Sequence, residues 1–476
     1  MSDRSAEAVR LEVFNSYREV FASAPIRLMS RTAAAMRSKG YDDLATAIGD
    51  IDWRTVPPAH PADPTLRHDW KAVLEGAFEY VGGWLRQLSG SPMGYNLDSI
   101  GYPVVTRAWS KMWERQLGIE FANRPGRPAE VFVFHGGNQA LQAALLGIAE
   151  AHRDRVGVST PATVLVPLPT FSCPMDQMAL QGMRAVMLPP THADTDPHPD
   201  DLDNVPGDVD VDGVYLMPVN NPTGRTVEPG QLRDFISAVL DRWPHAGVVL
   251  DSVYVRLHER YRDLLAFYDT DPRFADSLLL IDSLSKTHGV TGLRAGAVLT
   301  RSPRLYGGVV RYAQNVMAGP SNAMQAVMYA LLAPFLSGDE ELIESRIRLQ
   351  MRIGRHLQER RRLLMRDIFD RFPHLFDDHQ PLLPDPDGFD WPGSMYAAPR
   401  LSEECVQRAR ERDVWPTVEL YLQTGVAGVP LDGFCRNPNL DRHNLVVNAD
   451  DERRRAFVAE ASRYVRLSFG MTPPPG

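Results

Sequence analysis

One lysine in this chain stands where covalent chemistry is practicable. In the segment Ser283-Leu-Ser-Lys-Thr-His-Gly-Val-Thr-Gly-Leu-Arg-Ala-Gly296, Lys286 follows the apolar run Leu278–Ile281, and a second run, Ala295–Leu299, follows it. A lysine amine acts as a nucleophile when neighbouring cations or desolvation lower its pKa, and it then forms an imine with an aldehyde. The hydroxyls of Ser283 and Ser285 and the guanidinium of Arg294 could grip a phosphate on the same aldehyde-bearing molecule. Taken alone, the segment also fits, less well, a surface lysine and arginine in a glycine-rich turn.

Further polar groups follow apolar runs in the same manner. Asn220-Asn-Pro-Thr-Gly224 comes after Val214–Met217, and Asp251-Ser-Val-Tyr254 comes after Val248–Leu250. Open α/β sheets bind ligands at the carboxyl ends of their strands. There, Asp251 could pair with a protonated ring nitrogen, while Asn221 and Tyr254 could hydrogen-bond a phenolic oxygen. Phe134-His-Gly-Gly-Asn-Gln139 joins a strand to a helix, so the N–H groups of Gly136, Gly137 and Asn138 could cradle a phosphate. Phe171, just after the strand Thr163–Val166, could stack on a pyridine ring or pack into the core. Arg466 lies in Tyr464-Val-Arg-Leu-Ser-Phe-Gly470. It either meets an anion such as a substrate carboxylate or faces outward from an edge strand.

The elements that must position these groups alternate. Short aliphatic runs (Val131–Phe134, Thr163–Val166, Val214–Met217, Val248–Leu250, Leu278–Ile281, Ala295–Leu299) are separated by helical periodicity from Gln139, Cys173 and Pro229. This predicts an α/β fold with a mostly parallel sheet flanked by helices. Residues 91–338 form the large domain in this reading. Residues 1–90, with helices over Ala6–Phe21 and Trp70–Gln87, form a helical arm and part of a small domain. A long helix over Asp339–Phe372 opens the rest of the small domain, 339–476, in which an irregular loop, Phe372–Pro392, precedes an α+β region.

Bulk properties exclude several classes. The 476 residues are 44% hydrophobic and 23% charged, with a net charge of −9 dispersed along the chain, which opposes a nucleic-acid role. No apolar run approaches the ~20 residues that span a bilayer. The start, MSDRSAEAVRLEVF, lacks a signal-peptide core. Cys173, Cys405 and Cys435 show no metal-ligand spacing, so reduced thiols in a cytoplasmic protein and no metal site are expected.

In order and spacing, the SLSK…R block, NPTG and DxxY resemble the fold-type I enzymes of the class I/II aminotransferase family, which use pyridoxal 5′-phosphate (PLP). The resemblance runs from about Tyr95 to Gly470. It implies that Lys286 carries PLP as an imine and deprotonates the Cα of a bound α-amino acid. It implies that Asp251 keeps the pyridine nitrogen protonated, that Asn221 and Tyr254 bind the ring oxygen and that Phe171 stacks on the ring. Gly137, Asn138, Ser283, Ser285 and Arg294 would bind phosphate, and Arg466 the α-carboxylate. Tyr95 would reach the partner's phosphate across a homodimer interface. The stretch before Tyr95, the 372–392 loop and Trp391-Pro-Gly-Ser-Met-Tyr-Ala-Ala398 depart from the family pattern, so the substrate is not legible. Transamination is the leading expectation. The alternative is other PLP chemistry in specialised biosynthesis, such as β/γ-elimination or replacement on S-adenosylmethionine, decarboxylation or oxidation; the SLSK block and chain length are also similar to aminocyclopropane-carboxylate synthases. A non-enzymatic ligand sensor would need a DNA-binding module that residues 1–90 do not show.

Overall fold

Valine, leucine and isoleucine dominate the strands because both faces of the sheet are covered. The computed structural model describes residues 5–21, 25–44, 46–47, 50–51, 73, 76–77, 79, 99–121, 130–157, 160–383, 394–447 and 451–470. Tyr95 and most of the expected helix Trp70–Gln87 lie outside them. The strands are β1 (Val131–His135), β2 (Thr163–Pro167), β3 (Arg184–Leu188), β4 (Gly213–Leu216), β5 (Gly247–Asp251), β6 (Leu278–Ser283), β7 (Ala295–Leu299), β8 (Tyr396–Ala397), β9 (Val429–Pro430), β10 (Val446–Val447) and β11 (Val465–Ser468). Among the described residues, eight of them form one sheet in the order β1-β7-β6-β5-β4-β2-β3-β10. All run the same way except β7, which is antiparallel to both β1 and β6.

That one reversal decides where Arg294 goes. The parallel strands deliver their following residues to one edge, whereas β7 begins at that edge, so the residue preceding β7 arrives beside the residues that follow the others. The approach is tight. A Cβ on Gly296 would lie 2.4 Å from the Gly136 carbonyl carbon, and one on Gly136 (φ +86°) would lie 2.6 Å from Arg294 Nη2. Only glycine fits at either position.

The helix Pro103–Leu117 has proline in its first turn and is buried along Val105, Trp109, Met112 and Trp113. Spaced four apart, Trp109 and Trp113 share a face. Both indole N–H groups donate to Asp282 Oδ2, at 2.8 and 2.7 Å. Arg256 donates to both Asp282 oxygens at 2.8 Å, and the Ser283 N–H to Oδ1 at 2.7 Å. Arg256 and Asp282 are both fully buried.

The helix Glu340–Arg371, capped by Asp339, leaves the sheet domain as expected. It packs over a second core containing Leu364, Ile368, Leu375, Leu401, Val465 and Leu467. Here β8, β11 and β9 make a small antiparallel sheet. The N-terminal segment joins this part of the molecule: Arg10 pairs with Asp43 and donates to Leu422 O, and Leu44 bridges to Val426. The sequence reading missed β3, the helix Pro103–Leu117 and β10. The last extends the large sheet beside β3, although it lies in the stretch expected to form the small domain. A pair of valines is too short to show any periodicity. Among the described residues, no helix is long and apolar enough to cross a membrane.

Removing the Asp282 carboxylate would strand a guanidinium and two indole N–H groups in a dry interior. Asp282→Ala is therefore expected to lose about 3–5 kcal/mol in urea unfolding, with Asp282→Asn losing less because an acceptor remains.

Candidate active site

Along the carboxyl edge of the sheet lies a cavity of about 310 Å³, within the range of small-molecule sites. Its wall includes Gly137, Asn138, Phe171, Asn221, Asp251, Tyr254, Ser283, Ser285, Lys286, Arg294 and Arg466. Of the residues singled out in the sequence, Gly136 alone among the described ones is not in this wall. Its N–H donates to Phe134 O at 2.8 Å, so it is not offered to a ligand as expected. Gly137 and Asn138 open the 137–156 helix, whose first N–H groups have no intrahelical acceptor.

Asp251 ends β5, and Tyr215 Oη on neighbouring β4 donates to its Oδ2 at 2.9 Å. Burial pushes the Asp251 carboxyl up to about 6, although the Tyr215 bond and the Val253 N–H pull the other way. The Tyr254 hydroxyl lies 3.0 Å from that of Tyr396. Burial first, then Tyr396, holds the Tyr254 phenol well above its ordinary value. Ser283 Oγ donates to Ala295 O at 2.7 Å and accepts from the Ser285 N–H at 3.1 Å. Its proton thus reaches across to β7, while its oxygen accepts within the turn that sets Lys286. The Ser285 hydroxyl is 2.9 Å from Ser283 Oγ. Arg294 adopts φ +56° and donates to Thr291 O at 2.9 Å.

Arg466 comes from β11, the middle strand of the small sheet, and is 2% exposed. It donates to Asn221 Oδ1 at 3.2 Å and to Ala47 O at 2.6 Å. Its guanidinium carbon sits 4.8 Å from the ring centre of Tyr396 and 5.0 Å from that of Phe434. Among the described residues no carboxylate pairs with it, and its buried Nε has no partner. Burial lowers its pKa. An uncompensated buried cation of this kind fits a site that receives an anion.

Tyr215, Tyr396, Thr291 and Asp50 were missed. A tyrosine within an otherwise apolar buried strand needs a hydroxyl partner, and that requirement could have flagged Tyr215 and Tyr396. No local pattern marks Asp50. The Cys173 thiol is pushed up to about 11, mainly by burial, which disfavours its thiolate.

The solved structures define the class first. The aspartate aminotransferase from Thermus thermophilus with maleate superposes with a TM-score of 0.63 at 16% identity, covering 99% of this chain and 96% of that one. An aminotransferase from Mycobacterium tuberculosis gives 0.62 at 18% identity over 94% and 92%. This architecture is that of fold-type I PLP enzymes. The sequence profile described as Aminotransferase class I and II matches residues 114–364, and the chain belongs to that family, whose cofactor is PLP.

Among its curated relatives, the aspartate aminotransferase of Bacillus subtilis is 22% identical over 342 residues, 71% of this chain and 76% of that protein. The histidinol-phosphate aminotransferase of Staphylococcus saprophyticus is 30% identical over 149 residues, 30% of this chain and 38% of that protein. The aromatic amino acid aminotransferase of Mycobacteroides abscessus is 33% identical over 84 residues, 17% of this chain and 22% of that protein. The chain thus spans well under half the length of the latter two.

The donor set fits PLP. A buried carboxylate that accepts from one side-chain hydroxyl suits a ring N–H, and a helix N-terminus under an arginine suits a phosphate. A raised carboxyl favours the fold below its ordinary pKa, and that contribution is lost as pH rises through about 6. Cofactor-free Asp251→Asn should therefore melt above the cofactor-free wild type at pH 7.5. A gap on the order of 1–3 kcal/mol is expected, closing towards pH 4.

Proposed function

We propose that this protein is an aminotransferase acting on an α-amino acid and a 2-oxo acid. One observation carries the reading: Lys286, Asp251 and a buried Arg466 without a carboxylate partner among the described residues share one cavity. In this reading Lys286 holds the cofactor covalently, and Asp251 takes the ring nitrogen. Asn221 and Tyr254 take the ring oxygen, and Phe171 covers the ring. Gly137, Asn138, Ser285 and Arg294 take the phosphate, while Ser283 caps the Lys286 turn. When bound, PLP supplies the electron sink that acidifies the substrate Cα–H.

The protein's own groups do the rest. Arg466 grips the substrate α-carboxylate with its planar fork, and Asn221, already bonded to it, fixes the fork's angle. That orients the Cα–H towards Lys286, whose amine moves the proton away from Cα. Tyr396 packs beside both Arg466 and Tyr254, so the carboxylate site and the ring-oxygen site share one wall. The Tyr254 phenol, kept protonated by burial, donates rather than accepts at the ring oxygen.

Borohydride reduction followed by peptide mapping should place the pyridoxyl group on Lys286. A single turnover without an acceptor should then release one equivalent of 2-oxo acid and leave the cofactor aminated. Label on another lysine would overturn the role of Lys286. Continuous product formation without any acceptor would replace transamination with elimination or replacement chemistry.

We also read the working unit as a homodimer in the cytoplasm, with Tyr95 reaching the partner's phosphate site. Family membership supports the dimer. Sedimentation of the active holoenzyme should give a dimer, and a fully active monomer would exclude the shared site.

A further inference from the structure

Among the described residues, five charged side chains line the cavity: Lys286, Arg294 and Arg466 against Asp251 and Asp50. The proposed function uses four of them, and Asp50 is left over. Its carbonyl packs against Gly470, where a Cβ would fall 1.8 Å from Asp50 O. Its Oδ1 accepts from the Ile51 N–H at 2.8 Å and from Thr291 Oγ1 at 2.7 Å. Among the described residues, no lysine, arginine or histidine pairs with this carboxylate. The same short segment supplies Ala47 O to Arg466, so the carboxylate site and Asp50 are held on one piece of chain. Ile26 and Met217 add apolar surface to the wall.

A half-buried carboxylate beside an apolar surface calls for a cation on an aliphatic stem. We infer that the amino donor is an α-amino acid whose side chain ends in an ammonium or guanidinium group, bound by Asp50. This inference rests on the aminotransferase reading for the orientation of the donor. Asp50 is a specificity residue here, because its proposed contact is with the substrate's far end and not with the reacting atoms.

The test uses the holoenzyme with lysine, ornithine and arginine against norleucine, norvaline and methionine. Two readouts are taken: dissociation constants by calorimetry, and kcat/KM with 2-oxoglutarate, oxaloacetate and pyruvate as acceptors. Lysine is expected to exceed norleucine by about tenfold or more in both, the scale of one charge-assisted hydrogen bond. In Asp50→Asn that ratio should collapse towards one, because the amide can still accept from Thr291 but carries no charge. Asp50→Glu should retain more of the ratio than Asp50→Asn does.

If Asp50→Asn weakens all donors equally, or shifts only cofactor affinity, Asp50 acts through the Thr291–Arg294 turn and the inference is overturned. Equal binding of lysine and norleucine by the wild type overturns it as well, as does a panel in which nothing binds. Preferential lysine binding that depends on Asp50, with no 2-oxo acid formed from any donor, keeps the Asp50 site and rejects transamination. Turnover without a cation preference does the reverse.

Discussion

The Asp282 carboxylate, fully buried among Arg256, Trp109 and Trp113, is the contact on which the rest of the site depends. It sits at the end of β6, immediately before the Ser283–Lys286 turn. Arg256 lies two residues beyond Tyr254, in the segment that follows β5. A single ion pair therefore ties together the two strand ends that carry Asp251 and Lys286. Gln350, on the long helix, donates to Arg256 O, so the helix leading to the small sheet is fastened to the same point. Paired and hydrogen-bonded charges in a dry interior hold a unique geometry, because displacing either partner leaves the other unsatisfied.

From this anchor the placement of the cavity groups is mostly topological. Parallel strands present their carboxyl ends together, and the reversed β7 adds its entry to the same edge. The glycines at 136 and 296 permit the close approach, and Gly224 (φ +78°) does a similar service for the small sheet. A Cβ there would lie 2.2 Å from Tyr396 O, so the turn after Asn220–Asn221 is pressed directly against β8. Asn221 and Tyr396 thereby both meet Arg466.

Much of this was legible in the sequence because the strands are short apolar runs and the polar residues follow them directly. The segments around Asn221, Asp251 and Lys286 each announce a strand end, and their order restricts the topology. What escaped detection depends on contacts between distant residues. Gly136 looked like a phosphate donor, but its N–H turns back to Phe134. Ser283 reads in the sequence as a phosphate ligand, and its hydroxyl also joins β7 to the Lys286 turn, donating to Ala295 O and accepting from the Ser285 N–H. Asp50 and Tyr215 acquire meaning only from partners far away in sequence, Thr291 and Asp251. Arg466 was legible as an anomaly, a guanidinium in an apolar strand, and its setting is consistent with that reading.

The route of the chain through β9, β10 and β11 constrains how the molecule can move. After β9 the chain leaves the small sheet, adds β10 to the rim of the large sheet beside β3, and returns as β11 with Arg466. The small sheet is consequently clasped to its neighbour midway through its own strand sequence. The pairing of Val446 with Ala185 and of Val447 with Val186 sets this part of the chain on the rim of the larger sheet. Arg466 is thus joined to the large sheet through β10 as well as through the long helix.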